Sequence, residues 1–392
     1  MRVVHVIPGI SPLSGGPGRS VPTLCLALTE LSVDVQLALA DCSALTIGLP
    51  MIRIRPIEWV TGLVHVPTKE VIYHVHALWN PFSSWAMYYL RTNAIPYVLS
   101  LRGMLCPENM SDWKKRLWCF LWEKRNVAGA RAIHFTTLAE QRAAQQCGWH
   151  LPPITVIPNP VVTPKQATAS YAAPPRATCR KPTIVFVGRL SKVKRLDLLL
   201  RSFSLVKRSI PTTLLIIVGP DTENIQRQLE SLCENLGISD SVEFVGMKSL
   251  HDLSEIFGWS DIVTLVSQRE NFGMAVAEGM ASGLPAVLTR NVGVADGAEK
   301  AGAAIVVDDT PESIATAYIK LLRDHYLRRT MSVNARRFVT SEYAPQKVAS
   351  QMIGVYKWVL GEGEKPDCVK VNRYGHGKPN YQRTQNSRCY KK

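Results

Sequence analysis

The chain lacks the features that mark membrane-spanning, secreted and zinc-binding proteins. No run of about eighteen apolar residues is present, so no transmembrane helix is predicted. The nine cysteines are scattered singly without a Cys-x-x-Cys pair, which argues against a disulfide framework or a zinc site. The N-terminal apolar stretch is interrupted at Pro8 and Gly9, too soon for a signal-peptide core. We therefore expect a cytoplasmic protein with reduced thiols.

A dinucleotide-binding fingerprint is also missing. The glycine-rich segment near the N-terminus is Gly15-Gly16-Pro17-Gly18, which does not have the Gly-x-Gly-x-x-Gly spacing. The composition has no extremes, with 46% hydrophobic and 20% charged residues, so a wholly disordered or collagen-like chain is excluded. A length of 392 residues predicts two domains.

Positive charge is in clear excess. The chain has 46 Lys and Arg against 31 Asp and Glu, a formal net charge of +15. Such an excess suits nucleic acid, an anionic membrane or phosphorylated substrates. The basic residues are spread over the body and densest in residues 361–392, and no nucleic-acid-binding motif is present. We expect no nucleic-acid partner, because a phosphorylated substrate and an anionic membrane explain the charge equally well.

Short apolar strands alternate with helical patterns in both halves of the chain. The predicted strands are residues 3–7, 71–75, 97–101, 130–135 and 154–157, then 183–187, 214–218, 242–245, 261–266, 286–289 and 304–307. A glycine loop follows the first strand and leads to a helix predicted over 21–31, and residues 311–360 are helical by pattern. This alternation predicts an α/β fold with two Rossmann-like, doubly wound parallel sheets facing across a cleft.

Five segments are predicted along the chain. Residues 1–162 form the N-terminal domain, and residues 163–182, with four prolines and no periodicity, form a linker. Residues 183–345 form the C-terminal domain, and residues 346–360 form a helix that packs back on the N-terminal domain. Residues 361–392 are polar and basic without an apolar period, and we expect them to be disordered.

The strongest chemical signal is segment 267–285, SQRENFGMAVAEGMASGLP, which directly follows a predicted strand. Glu270 lies in the loop, and Phe272-Gly273 opens the next helix, whose free N–H groups suit phosphate. Glu278 lies inside that helix, ~12 Å beyond Glu270 if the intervening residues are helical. This separation suits two acceptors that hold different hydroxyls of one extended ligand. The alternative is a helix-dipole partner at Glu270 and a solvated acid at Glu278.

A second signal, VGRLSKVK at residues 187–194, also lies between a strand and a helix. Arg189 can donate two parallel hydrogen bonds to an oxyanion, and Lys194 supplies a compact positive charge. Together they would suit a diphosphate. Two cations in a loop are more often simply solvated. Their predicted position at the same sheet edge as Glu270 favours a functional role.

These motifs resemble those of the GT-B glycosyltransferases, specifically family 4, which transfer hexoses from nucleotide sugars with retention. The Glu270-x7-Glu278 segment matches the hallmark of the family, and Gly188-Arg189-Leu190-Ser191 with Lys194 matches its diphosphate loop. Gly15-Gly16 matches its N-terminal glycine loop, and the resemblance extends from residue 1 to about residue 360. It implies an acceptor-side N-terminal domain and a nucleotide-sugar-binding C-terminal domain.

The resemblance also implies roles for individual residues. Arg189 and Lys194 would neutralise the departing diphosphate, and Glu270 with the backbone of Asn271, Phe272 and Gly273 would hold hydroxyls of the transferred sugar. Glu278 would hold the ribose hydroxyls, while Gly15 and Gly16 would reach the phosphates and sugar from across the cleft. No divalent metal or other cofactor is expected, because these cations and the helix terminus supply the positive charge.

The chain departs from the family pattern at Arg102, Pro160 and Arg195, and the first of these bears on the cleft. Where many relatives carry a histidine after the strand at 97–100, this chain has Arg102. Arginine cannot act as a base but can bind phosphate or sugar oxygens, so Arg102 is a candidate for the cleft. His74 and His76 share one face of a strand, which makes a metal pair conceivable, but no third ligand is evident. We expect His76 to be a core histidine or to lie at the cleft edge and contact substrate.

Segment 112–125, DWKKRLWCFLWEKR, places three tryptophans among five basic residues. A helical wheel puts Trp113, Leu117, Phe120 and Leu121 on one face, and Trp118 and Trp122 on another. Two interpretations stay open. The segment is either an ordinary helix covered by protein on both sides or a site that docks on an anionic membrane.

The functional expectation is a retaining hexosyltransferase that acts on a glycan acceptor, lipid-linked, in surface polysaccharide biosynthesis (O-antigen, capsule or exopolysaccharide). Such an enzyme would be cytoplasmic, with contact to the inner face of the plasma membrane. The alternatives are another GT-B enzyme such as a nucleotide-sugar epimerase, or a non-catalytic nucleotide-sugar-binding protein. The donor base, sugar, acceptor and linkage are not encoded in these patterns.

Overall fold

The protein was analysed as a computed structural model, which describes residues 1–11, 15–40, 48–55, 58, 71–110, 118, 122–162 and 181–370. The described N-terminal strands are β1 Arg2–Ile7, β2 Asp34–Leu39, β3 Met51–Arg53, β4 Val71–His76, β5 Tyr97–Ser100, β6 Ala132–Phe135 and β7 Ile154–Val156. The helices between them are α1 Gly16–Glu30, α2 Pro81–Thr92, α3 Lys124–Gly129 and α4 Leu138–Gln146.

The C-terminal strands are β8 Thr183–Val187, β9 Leu214–Val218, β10 Val242–Gly246, β11 Ile262–Leu265, β12 Ala286–Thr289 and β13 Ala304–Val307. The helices are α5 Leu196–Ser209, α6 Gln226–Leu236, α7 Leu250–Trp259, α8 Met274–Ala281, α9 Ala295–Lys300, α10 Pro311–Arg323, α11 His325–Glu342 and α12 Pro345–Leu360. A last short strand, β14, spans Val369–Lys370.

The two sheets share one topology. The N-terminal sheet has the order β14-β7-β6-β5-β4-β1-β2-β3, and the C-terminal sheet has the order β10-β9-β8-β11-β12-β13. All ladders are parallel except that of β14 with β7. In each sheet the chain starts in the middle, builds outward to one side and then returns to the other. The order therefore reverses between β1 and β4 and between β8 and β11, where ligands bind in doubly wound sheets. The predicted fold class is confirmed.

The strands form because they are short apolar runs buried on both faces. Strands β4, β5, β6 and β8 are buried along their whole length, as parallel strands covered by helices must be. Burial of such surface contributes ~25 cal/mol per Å² of apolar area, which is the main favourable term in folding. Each sheet is thus a rigid platform, and the loops at its carboxyl edge are positioned by it.

Helix α12 belongs in sequence to the second half but packs on the N-terminal sheet. Its buried residues Val348, Met352, Val355 and Tyr356 join the cluster formed by β1, β2 and α1. The helix enters from the C-terminal domain just after Tyr343, whose carbonyl accepts a hydrogen bond from the amide of Val161 at 2.8 Å. The chain therefore crosses between the domains once near 161–183 and again near 343–345.

The secondary-structure pattern of the sequence matches most of these elements, with some differences. Helix α1 starts five residues before the predicted boundary, because Gly15 adopts a left-handed φ of 68° and Pro17 occupies the first turn. Strands β2 and β3 carry no prediction, and helix α2 lies where a helical pattern is predicted between two strands, without predicted bounds. Most of the predicted linker, residues 163–180, and residues 371–392 lie outside the described residues.

The predicted disorder of residues 361–392 is wrong for residues 361–370. These residues form a turn and strand β14, which pairs with the edge strand β7 through Val369↔Thr155 and Lys370↔Ile154. The reason is that β7 offers unpaired backbone groups at the sheet edge, and Val369 buries its side chain to 2% exposure in the N-terminal core. The sequence did not predict this strand, because two residues are too few to show an alternating apolar pattern.

The membrane-span criteria of length and apolarity are not met by any helix in the described residues.

Candidate active site

Lys194 and Glu270 form an ion pair at the point where the C-terminal sheet reverses its order. Lys194 ends the short 3-10 helix Lys192–Lys194 after β8, and Glu270 lies in the loop after the adjacent strand β11. Lys194 Nζ donates to Glu270 Oε2, and the two side chains are 11% and 22% exposed. The two predicted site residues are therefore brought together at the expected sheet edge.

Close backbone packing holds these loops. A Cβ on Gly219 would lie 1.9 Å from the carbonyl oxygen of Gly188, so the loops after β8 and β9 pack this closely only with glycine there. Glu270 is fixed by its own backbone, whose amide donates to the carbonyl of Asn291 at 3.0 Å. Its carbonyl accepts from the amide of Gly293 at 2.9 Å. The backbone of Glu270 is thus fixed, while its side chain is used for the pair with Lys194.

Arg189 lies two residues beyond the end of β8 and is exposed. Among the residues that the structure describes, it forms no ion pair, in contrast to Lys194. Its position at the carboxyl edge of the sheet is the one predicted. An unpaired guanidinium at this edge is available to an anion, whereas Lys194 is already held in place by Glu270.

Helix α8 starts beside this pair. Gly273 precedes it with a φ of +98°, a left-handed value that glycine adopts without strain, and the first turn has free amides. Phe272 is 3% exposed and packs edge-on against Tyr343 at 5.2 Å, so its side chain belongs to the core. Only its backbone faces the loop. Phe272 can therefore contact a ligand only through its main-chain atoms.

Glu278, on helix α8, is paired across the domain boundary. Its Oε2 accepts a hydrogen bond from Nη1 of Arg19 in helix α1 at 2.5 Å. Burial raises the pKa of the Glu278 carboxyl, and Arg19 opposes that rise. Sequence analysis did not single out Arg19, although a cation one turn into the helix behind the glycine loop was a usable signal.

The glycine loop approaches the same helix from the N-terminal domain. A Cβ on Gly16 would lie 3.5 Å from Cγ of Met274, the first residue of α8, so Gly16 backs directly onto this helix. A Cβ on Gly15 would meet nothing within 4 Å. The structure therefore brings Gly15 and Gly16 opposite the segment that carries Gly273 and Glu278.

Asn271 is held by the N-terminal domain. Its Nδ2 donates to Oγ1 of Thr136 at 2.9 Å and lies 3.3 Å from Oε2 of Glu140, and its carbonyl accepts from Oγ1 of Thr137 at 3.2 Å. The backbone of Gly103 lies against it, because a Cβ there would be 2.8 Å from Oδ1 of Asn271. Asn271, whose backbone is predicted to contact substrate, thus joins the two domains through its side chain and its carbonyl.

Arg102 and His76 lie beneath the cleft, in contact with each other. Arg102 Nη2 lies 3.1 Å from Nδ1 of His76, and Nη1 donates to Oδ1 of Asn159 at 2.5 Å. His76 is completely buried and Arg102 is 9% exposed. Burial lowers the pKa of Arg102 to about 10. The predicted direct contact of His76 with substrate is not available here, because both of its ring nitrogens are engaged inside the domain.

Arg102 determines where the protons of the neighbouring imidazoles lie. A guanidinium can only donate, so Nδ1 of His76 is an acceptor and its proton is on Nε2. That Nε2–H donates to Nδ1 of His5, 3.0 Å away, and neutral His5 then carries its proton on Nε2. Nε2 of His5 is a buried atom without a hydrogen-bond partner in the described structure.

A second buried relay runs in one direction across the sheet. The carbonyl of Ile157 accepts at 2.8 Å from Nε2 of His134, whose Nδ1 therefore accepts from Oγ of Ser100 at 2.7 Å. Ser100 accepts in turn from Nε2 of His74 at 2.6 Å, and Nδ1 of His74 accepts from the hydroxyl of Tyr356 at 2.6 Å. Burial is the largest cause that lowers the pKa of each imidazole, to about 3 for His5 and His134.

Three of these histidines are close enough for a metal ion. Ring nitrogens of His5, His74 and His76 lie within 4.8 Å of one another. The arrangement does not suit a cation, since Nε2 of His76 carries a proton rather than a lone pair and the Arg102 charge lies against the same ring. The chemistry of this donor set fits a hydrogen-bonded core better than a metal centre.

Most of the aromatic and basic segment 112–125 lies outside the described residues. Two of its tryptophans are described, and both contact helix α2. Trp118 Nε1 lies 3.3 Å from Oγ of Ser84 and from Oε1 of buried Glu123, and Trp122 packs edge-on against Tyr88 at 5.4 Å. For Trp118 and Trp122 the structure therefore favours the protein-covered interpretation.

Comparisons with known proteins agree with this geometry. Residues 15–160 match the Glycosyl transferase 4-like domain, and residues 173–338 match the family Glycosyl transferases group 1. A 180-residue region is 31% identical to N-acetyl-alpha-D-glucosaminyl L-malate synthase of Bacillus anthracis and covers 45% of each chain. A 181-residue region is 33% identical to D-inositol 3-phosphate glycosyltransferase of Corynebacterium urealyticum, covering 45% of this chain and 39% of that protein. The chain thus aligns with less than half the length of these curated relatives.

Solved structures share the fold over nearly the whole chain. Sucrose-phosphate synthase from Thermosynechococcus elongatus superposes with a TM-score of 0.74 at 19% identity, covering 92% of this chain and 99% of that one. Anabaena HepE, solved with UDP and glucose, gives 0.73 at 16% identity, covering 91% and 100%. The chain belongs to the GT-B glycosyltransferases, in the group 1 and 4-like families.

Proposed function

We propose that the protein is a retaining glycosyltransferase that moves a hexose from a nucleotide-diphosphate sugar to a glycan acceptor. The observation that carries the proposal is the Lys194–Glu270 pair at the reversal point of the C-terminal sheet, with Arg189 exposed at the same edge. The N-terminus of α8 adds free amides to these groups. Cations and amides at one edge suit a diphosphate, and the carboxylate suits sugar hydroxyls.

The proposed reaction breaks the bond between the anomeric carbon and the donor phosphate oxygen. The charge that develops on the departing diphosphate is stabilised by Arg189, by Lys194 and by the amides after Gly273. The acceptor hydroxyl forms the new bond on the face that the diphosphate leaves, and its proton passes to a phosphate oxygen of the donor. Because Glu270 pairs with Lys194, it orients that ammonium group and keeps an oxygen close to the sugar.

No divalent metal is assigned to this site in the proposal, since protein cations are placed where a metal would otherwise balance the diphosphate. Chelation therefore distinguishes the alternatives. Activity that survives excess EDTA supports charge neutralisation by the protein. Activity that is lost in EDTA and restored by magnesium or manganese would contradict it.

The finer part of the proposal concerns the acceptor and the pathway. We propose that the acceptor is lipid-linked and that the protein acts in surface polysaccharide biosynthesis at the inner face of the plasma membrane. Two kinds of support are available. One solved structure with this fold, WaaG, is described as a glycosyltransferase involved in lipopolysaccharide biosynthesis, with a TM-score of 0.63 and 19% identity. The net charge of +15 favours anionic surfaces. Flotation with vesicles of anionic and of zwitterionic lipid tests this part separately.

The test of the activity is a panel of UDP-, GDP-, ADP- and dTDP-sugars, screened by thermal shift and then by turnover with radiolabelled sugar. We expect stabilisation by one nucleotide class, since a ligand that binds only the folded state raises its stability. Label should appear in a product that retains the anomeric configuration. Epimerised donor without transfer would favour the epimerase alternative, and binding without any turnover would favour a binding protein.

A further inference from the structure

Arg19 has no role in the proposed chemistry, yet it makes the most direct ionic contact across the cleft. It lies in the first turns of α1, four residues after Gly15, and its Nη1 is 2.5 Å from Oε2 of Glu278. Arg19 is 36% exposed and Glu278 is 17% exposed at the side chain. The contact is therefore partly shielded from water, where a charge pair is stronger than on an open surface.

Only one oxygen of the Glu278 carboxylate is engaged. Among the described residues Oε1 accepts no hydrogen bond, and the Glu278 side chain keeps 17% of its surface exposed, so Oε1 is available to a further donor. A carboxylate has about four lone-pair sites and can accept from a guanidinium and from hydroxyls at the same time. Arg19 thus fixes the group without covering it.

The charge of Glu278 depends on this one neighbour. Burial raises the pKa of its carboxyl, and among the described residues Arg19 is the charged group that acts against the rise. Helix α8 also contacts α11, whose Arg336 donates at 3.0 Å to the carbonyl of Ser282, past the far end of α8. Strands β11 and β12, which also contact α8, have no titratable side chain. Without Arg19, a buried carboxyl would therefore hold its proton to higher pH.

We propose that Arg19 is a positioning residue of the donor site, which holds the Glu278 carboxylate with one oxygen engaged and the other open to the hydroxyls of a nucleotide ribose. The inference rests on the proposed function, since it assumes a nucleoside diphosphate in the cleft. It adds that an N-terminal residue completes a site carried otherwise by the C-terminal domain. Donor affinity is then coupled to closure of the two domains.

The first experiment measures the affinity of UDP, GDP and ADP for the full-length protein by calorimetry from about pH 6 to about pH 8.5. The variants are Arg19→Met, Arg19→Lys and Glu278→Gln. Arg2→Met is the matched control, because it also removes one cation from an ion pair, the exposed pair with Asp34. Each variant's affinity is divided by the wild-type affinity at the same pH, which removes the effect of the titration of the diphosphate itself.

We expect Arg19→Met to bind the nucleotide ~10-fold or more weakly, with the largest loss near pH 6, because burial raises the pKa of the Glu278 carboxyl and Arg19 no longer opposes that rise. Arg19→Lys should recover most of the affinity near pH 6. Glu278→Gln should be weak at every pH, because an amide has no charge to regain. Arg2→Met should follow wild type throughout.

A second comparison uses the 2′-deoxy form of the nucleotide that binds best. Wild type should prefer the ribose form, and Arg19→Met should lose that preference near pH 6. A weaker affinity with the ribose preference of wild type retained would instead indicate direct contact of Arg19 with phosphate and would overturn the proposal. So would an unchanged affinity in Arg19→Met. If wild type binds none of the three nucleotides, the inference fails, and the panel of nucleotide sugars decides the proposed function separately.

Discussion

The guanidinium of Arg102 lies 3.1 Å from Nδ1 of His76, deep in the N-terminal sheet and directly beside its reversal point. A permanent cation in contact with an imidazole keeps that ring neutral. Because His76 then donates from Nε2 to Nδ1 of His5, the position of the proton on His5 is fixed as well. Arg102 itself adopts a left-handed φ of 56°, which places its side chain inward from the end of β5. A charged group thus organises the polar interior of this domain.

The first prediction concerns pH. In the folded state the pKa of His5 and of His134 is about 3, against 6.5 for an unperturbed imidazole. Between these values the unfolded chain binds more protons than the folded one. The stability from each group is therefore fully present above pH 6.5 and is lost as the pH falls. We expect the free energy of unfolding to decrease by ~1.4 kcal/mol per pH unit for each buried histidine.

Urea titrations between about pH 7.5 and pH 5 would measure this slope. His134→Gln should flatten it by about one proton, although the variant is less stable at pH 7.5. His251→Gln is the matched control, because His251 is exposed and outside the buried relay. A slope that His134→Gln leaves unchanged would contradict the assignment of a neutral His134.

The second prediction concerns the domain contact at Gly103. Gly103 and Gly148 both have left-handed φ values, 73° and 67°, so alanine strains either backbone by ~1–2 kcal/mol. Only at Gly103 would the new methyl group meet another domain, at 2.8 Å from Oδ1 of Asn271. Gly103→Ala should open the cleft, and Gly148→Ala should not. Hydrogen exchange of residues 136–140 and 269–273 separates the two outcomes, and equal exchange in both variants would contradict the contact.

The third prediction concerns the ion pair of the proposed active site. Lys194→Met removes a cation from the donor phosphates, and we expect turnover to fall ~100-fold. It also leaves the partly buried Glu270 carboxylate without its partner, which costs ~1–3 kcal/mol of stability. Lys192→Met, on an exposed side chain two residues away, is the control and should be close to wild type. Equal turnover in the two variants would remove Lys194 from the mechanism.

The fourth prediction concerns strand β14. Val369 is 2% exposed while Lys370 is exposed, and both lie on the same short edge strand. Val369→Asp buries a charge and should lower the free energy of unfolding by ~3 kcal/mol. Lys370→Asp should change it by less than ~0.5 kcal/mol. Chemical denaturation of both variants tests whether this strand is part of the fold.

Sequence patterns predicted the elements that are continuous apolar runs, such as β8. They also predicted the loops whose functional residues follow a strand directly in sequence, such as those carrying Lys194 and Glu270. They did not predict partners that are distant in sequence. The pairing of Arg19 with Glu278, 259 positions apart, arises only when two domains face each other. Asn271 was assigned to substrate for the same reason, since nothing near it in sequence indicates Thr136. Strand β14 was missed because two residues cannot establish a period.

Helix α12 has a consequence for how the molecule is made. The hydroxyl of Tyr356 supplies the first proton of the His74 relay, and the helix covers one face of the N-terminal sheet. Residues of α12, which follow the C-terminal domain in sequence, therefore complete a core whose strands are synthesised first. On the ribosome the N-terminal core stays incomplete, without the cover that α12 gives to that face, until the C-terminal half has emerged. The half that is translated first is finished last.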